Sequence, residues 1–172
     1  EKSKFQKFDK KILVPFGEFI PLRNLFKFME YIAGTVNFSK GNEARILSLK
    51  KDLDILPVIC YEILYFWKIL NKDNYNTKFL VNLTNDSWFG NFSGPYQHFY
   101  FTKLRSSEFN KPIIRISNNG ISAIINKYGK IIIHTKLNQK EIVTGKVMIN
   151  EIQVNYQKFH NILLMIILSL IF

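Results

Sequence analysis

Apolar and polar positions alternate so as to divide the chain into short apolar runs separated by polar turns. Residues Ile12 to Phe16 read as a short buried strand that ends at Gly17. Between Pro21 and Ala33, Leu22, Leu25, Phe26, Met29, Tyr31 and Ile32 fall near helical spacing, and Gly34 ends the pattern. Ile55 to Ile59 is an apolar run that leads straight into Cys60. Tyr61 to Leu70 predicts a helix, followed by a polar loop at 71–76. Phe79 to Leu83 predicts the next strand, Tyr96 to Asn110 an amphipathic helix, and Pro112 to Ile116 a strand that runs into the turn residues Ser117 to Gly120. A hairpin follows, with Ile121 to Ile125 and Ile131 to His134 flanking a turn at 126–129, and a last strand covers Ile142 to Ile149. Strands dominate, helices intervene, and no repeat or low-complexity linker interrupts them. The fold class is therefore α/β with mixed strand pairing, in one domain.

Composition narrows this picture without redirecting it. The chain has 172 residues, 47% hydrophobic and 22% charged, which suits a globular domain with a core. Its net charge of +11 fits nucleic acid or an anionic membrane surface, although for any single lysine run a solvated outer face is the commoner reading. The positive charges are scattered, and the aromatic residues lie in apolar runs without interleaved arginine, so no nucleic-acid partner is expected. A single cysteine excludes an intrachain disulfide. His98, His134 and His160 lie far apart, so neither a metal site nor a cofactor is expected. Ile162 to Phe172 forms an uncharged apolar run, shorter than the roughly 20 residues that span a bilayer. A free apolar terminus is a liability in water, which favours the start of a membrane helix over a buried terminal element.

Candidate chemistry centres on Cys60, placed where a predicted buried strand meets a predicted helix. A helix N-terminus facing the thiol would favour the thiolate and stabilise an oxyanion. A lone cysteine is more commonly structural, so the position alone leaves both readings open. Two further segments bear on it. Lys10 precedes the first predicted strand and Glu18 follows it. Residues 82–90, with Trp88 and Phe89 beside a polar turn, suit a pocket wall.

Taken in order, Phe8 to Lys10 with Leu13 to Pro21, Pro57 to Glu62, Thr84 to Gly90 with Gly94 to His98, and Arg115 to Ile121 resemble the apolipoprotein N-acyltransferases of the nitrilase, or carbon–nitrogen hydrolase, superfamily. The resemblance covers nearly the whole chain. It implies an αββα sandwich, here partial, over residues 1–158, and the start of a C-terminal transmembrane helix over 159–172. It implies Cys60 as nucleophile, Lys10 as the lysine that stabilises the oxyanion, and Glu18 as a supporting glutamate. Tyr61 and Glu62 match the elbow residues after the nucleophile, and Trp88 matches an aromatic at the acyl entrance, all three expected at the substrate. The implied reaction carries an acyl group from a phospholipid donor, through a Cys60 thioester, to the diacylglyceryl-cysteine of a prolipoprotein. It takes place at the bacterial inner membrane, with the domain facing the periplasm. The family's general-base glutamate precedes its lysine. Only Glu1 precedes Lys10 here, in an unmatched context, so the chain resembles a C-terminal part and little turnover is expected of it alone. A soluble nitrilase-type amidase and a non-catalytic remnant are the alternatives.

Overall fold

The computed structural model describes residues 6–22, 24–29 and 38–149, together with Ile162, Ile166 and Ser169. Within them one sheet takes its strands in chain order: β1 (Leu47–Lys50), β2 (Leu53–Ile59), β3 (Phe79–Thr84), β4 (Ile113–Ser117), β5 (Ala123–Ile125) and β6 (Ile131–His134). β2, β3 and β4 are parallel, while β1, β5 and β6 join antiparallel. Parallel neighbours need a crossover. The first runs through a 3-10 helix, Cys60–Leu64, and a short α1 (Phe66–Ile69). The second runs through α2 (Ser93–Glu108).

The two-residue period of the strands decides what is buried. Register pairs Leu56 with Leu80, Leu80 with Ile113, Val58 with Asn82 and Asn82 with Arg115, so these side chains share one face. There Leu56, Val58, Leu80 and Ile113 pack with Ile63 and Ile69 in a fully buried cluster. Phe99 of α2 joins Ile121, Ala123 and Ile125 in a second cluster. Leu83 and Ile116, register partners on the opposite face, remain about half exposed. The described residues thus supply one sheet covered by helices on one face, which is half of the expected four-layer sandwich.

Several expectations change. Residues 12–16 form no strand; their only bridge is an isolated one between Pro15 and Phe19. The Glu18 carboxylate accepts from the Val14 N–H, and Phe16 (φ 61) turns the chain back so that its N–H donates to Phe19 O. The apolar spacing at 21–33 yields only a 3-10 turn at Lys27–Met29, and 30–34 lie outside the described residues. The helix expected over 61–70 breaks at Tyr65, whose φ −94 and ψ 61 are not helical. β1 was not predicted, because its edge position leaves most of its side chains in water. Residues 142–149 make no ladder; Gly145 crosses instead over Ile124 and Ile133, where a Cβ would come within 3.0 Å of Ile124. Of the terminal run, Ile162, Ile166 and Ser169 are helical, and the rest lies outside the described residues. Among the described residues no helix is long and apolar enough to cross a membrane.

Candidate active site

β2 delivers Cys60 to the end of the sheet, where its φ of 51 falls in the left-handed region. A non-glycine residue there costs on the order of 1–2 kcal/mol and persists only where its surroundings impose it. Glu62 imposes it here. Its Oε2 accepts from the Ile59 N–H at 2.8 Å, which folds the chain around Cys60. The same fully buried carboxylate takes both Arg45 guanidinium nitrogens, at 2.7 and 2.9 Å, and the Lys11 and Ile12 N–H groups, at 2.8 and 3.0 Å. Burial pushes the Glu62 carboxyl up, but Arg45 and the backbone donors outweigh it and hold the group below the ordinary glutamate value. Arg45 also donates to Pro57 O at 2.9 Å and lies over the Phe8 ring.

Those two backbone bonds bring Lys10 to the elbow. Its ammonium lies 2.6 and 2.7 Å from the two oxygens of Glu18, and both side chains keep some exposure, 13% and 26%. Cys60 itself is half-buried, with Sγ 3.9 Å from the carbonyl oxygen of Asn85. Asn85 opens the 3-10 helix Asp86–Phe89, where its side chain accepts from the Ser87 N–H at 3.2 Å. Trp88 projects from that turn, 73% exposed. Tyr61 is half-buried and meets Tyr65 edge to face at 5.7 Å. The structure thus joins Lys10 and Glu18 to the Cys60 turn through Glu62, and joins the Trp88 turn to Cys60 through Asn85. Glu62, expected at substrate, has no exposed atom; its place in the site is beneath the elbow. The element that Cys60 opens, Cys60–Leu64, is a five-residue 3-10 helix, too short for the dipole expected of a long helix.

A second buried centre, absent from the sequence reading, lies behind Asn85. The Asp86 carboxylate, with no exposure, meets His98 Nδ1 at 2.8 Å and Arg115 at 2.6 Å, and accepts from Thr84 at 3.1 Å and Ser117 at 3.0 Å. Burial pushes the Asp86 carboxyl up, but His98 and Arg115 outweigh it and hold it at about 2. Arg115 donates further to Asn82 Oδ1 (2.8 Å), Thr102 Oγ1 (2.9 Å) and Ile121 O (3.1 Å). Gly120 closes over this centre, since a Cβ there would sit 1.9 Å from Asp86 Oδ2. The available signal was Arg115 itself, a charge in an otherwise apolar central strand. Among the described residues no cluster of His, Cys, Asp and Glu could hold a metal.

A thiol on an enforced left-handed turn at the end of a mixed sheet, joined through Glu62 to the segment that carries a lysine–glutamate pair, is a candidate site for a cysteine nucleophile. The chain belongs to the carbon–nitrogen hydrolase family, whose model matches residues 22–156. It is similar to the apolipoprotein N-acyltransferases of Rickettsia typhi (39% identity, 83% of this chain and 28% of the relative) and Rickettsia bellii (36%, 99% and 34%). The Pasteurella multocida enzyme of the same name is 34% identical over 90% of this chain and 30% of its own length. The chain therefore spans about a third of the curated relatives it matches. Among solved structures, the glutamine-dependent NAD+ synthetase of Acinetobacter baumannii shares the fold, with a TM-score of 0.58 at 15% identity over 78% of this chain and 24% of that one. Saccharomyces cerevisiae Nit3, of the nitrilase superfamily, does so at 0.50, with 13% identity over 63% of this chain and 42% of its own.

Proposed function

We propose that the protein performs the apolipoprotein N-acyltransferase reaction, with Cys60 as the acyl-accepting nucleophile. The observation that carries this reading is the Cys60 turn, held at positive φ by a Glu62 that also anchors the Lys10–Glu18 segment. The Cys60 thiolate attacks the ester carbonyl of a membrane phospholipid. The carbonyl–oxygen bond breaks, the departing oxygen takes a proton, and a lysophospholipid leaves a thioester on Cys60. The α-amine of a prolipoprotein's diacylglyceryl-cysteine then attacks the thioester; the amide forms and the thiolate departs. Lys10 faces the developing oxyanion, and Glu18 holds its ammonium in place. The base that takes the thiol and amine protons is a carboxylate upstream of Lys10. Glu18 does not fill that role, because Lys10 and the Val14 N–H already engage it.

In this reading Trp88 guides the acyl chain, Tyr61 lines its path, and Glu62 acts by fixing the elbow. The exposure of Trp88 and the net charge of +11 suit contact with an anionic bilayer. The site faces the periplasm from the inner membrane. The test uses the full-length protein with labelled phospholipid and a diacylglyceryl-cysteine peptide. Wild type should transfer the acyl group to the peptide amine, while Cys60→Ala should transfer none and Lys10→Met should lose at least about a hundredfold. Release of the label as free fatty acid, with none on the peptide, would replace the acyltransferase by an amidase-like hydrolase.

A further inference from the structure

The fully buried Arg115 guanidinium has no part in the reaction as written, yet it occupies the strand next to the one that leads into Asn85. The charged and titratable groups around Cys60 come from every side. Lys10, Glu18, Glu62 and Arg45 approach with the N-terminal segment and the elbow. Tyr61 stands on the same turn. Asp86 comes from the Trp88 turn, His98 from α2 and Arg115 from β4. Lys10 is matched by Glu18, and Arg45 by Glu62. Asp86 is shared between Arg115 and His98. Among the described residues, the polar contact of the sulfur is with the Asn85 carbonyl, which can accept an S–H but offers a thiolate nothing.

We propose that Arg115, Asp86 and His98 form a positioning network for Cys60: Asp86 fixes the Asn85 carbonyl against the sulfur, and Arg115 supplies the positive field in which the thiolate forms. The anchoring is direct. Asp86 follows Asn85 in the chain, and its carboxylate is held by groups from β3, β4 and α2. His98 meets the Trp88 turn twice, through Asp86 and through the Phe89 ring at 5.0 Å. Burial pulls the Arg115 guanidinium down, and Asp86 and, through space, the Cys60 thiolate push it back up.

The inference rests on Cys60 as the nucleophile, but its test reads ionisation and not turnover. Alkylation by iodoacetamide is read at the peptide that carries Cys60, the one cysteine of these 172 residues. The rate is followed against pH in detergent-purified full-length protein, with circular dichroism as the check on folding. Asp86→Asn, which leaves the guanidinium uncompensated, should lower the midpoint by about one pH unit. Arg115→Gln, which leaves the carboxylate uncompensated, should raise it by about as much. Arg115→Lys keeps the charge and should stay near wild type while losing stability. Shifts of the same sign in the two neutralising variants, or no shift in either, would overturn the network. Should Arg115→Gln not fold, a midpoint in Asp86→Asn at or above wild type overturns it alone. Acyl transfer surviving in Cys60→Ala would remove the nucleophile while leaving these shifts intact, so the two failures can be told apart.

Discussion

Two buried acid–arginine pairs flank Cys60, and they do different jobs. The Glu62–Arg45 pair is wired to backbone: three of its partners are the N–H groups of Lys11, Ile12 and Ile59, and a fourth is the carbonyl of Pro57. It fixes the path of the chain. The Asp86–Arg115 pair is wired mainly to side chains, namely Thr84, His98, Ser117, Asn82 and Thr102, drawn from β3, β4 and α2. It fixes elements against one another and leaves a net field that depends on its balance. A clamp made of backbone bonds sets geometry; a clamp made of charged side chains can also set ionisation.

The largest effect expected is from removing the acid of the first pair. Glu62→Ala leaves Arg45 buried without its carboxylate and frees three N–H groups, so urea unfolding should show a loss of about 3–5 kcal/mol. A loss below about 1 kcal/mol would mean the elbow is not held as described. Gly120→Ala drives a methyl group into Asp86 at the second pair, and should cost up to about 3 kcal/mol in the same measurement.

Acid separates the pairs without mutation. The folded Asp86 carboxyl, at about 2, lies below its ordinary 3.8. Its contribution is therefore complete above pH 3.8 and disappears as pH falls through about 2, a loss of about 2 kcal/mol. Glu62 is also depressed, from 4.5, so its share begins to fall at higher pH. Asp86→Asn should flatten the lower part of the stability–pH curve, and Glu62→Gln the part nearer 4.5. The smallest effect is that of Ser117→Ala, which removes one neutral donor from Asp86 and the acceptor of the Gly120 N–H, and should cost about 1.5–2 kcal/mol with no change in the alkylation midpoint of Cys60.

The same contrast explains what could be read from the sequence. The central strands and the hairpin were legible because Leu56, Val58, Leu80 and Ile113 keep the two-residue period of a buried face. Residues 12–16 misled because Pro15 and the Glu18 carboxylate make a turn out of a run with strand composition. The helix at 61–70 misled because apolar content does not reveal the break at Tyr65. Cys60, Lys10 and Glu18 were candidates through local motifs, and the structure pairs Lys10 with Glu18 and sets Cys60 on a turn at the end of β2. Arg45 was not, since its partner lies 17 positions away, and Asp86, His98 and Arg115 were not, since they meet across separations of 12 to 29. Local pattern shows which residues a strand carries, and only packing shows which of them meet.

The most direct measurement is the intermediate itself. Full-length protein incubated with phospholipid, without acceptor, is digested and its peptides are weighed. The peptide containing Cys60 should gain the mass of one fatty acyl group, and neutral hydroxylamine should remove it, as expected of a thioester. An acyl group found on another residue, or acyl transfer that proceeds while Cys60 never carries one, would contradict the account.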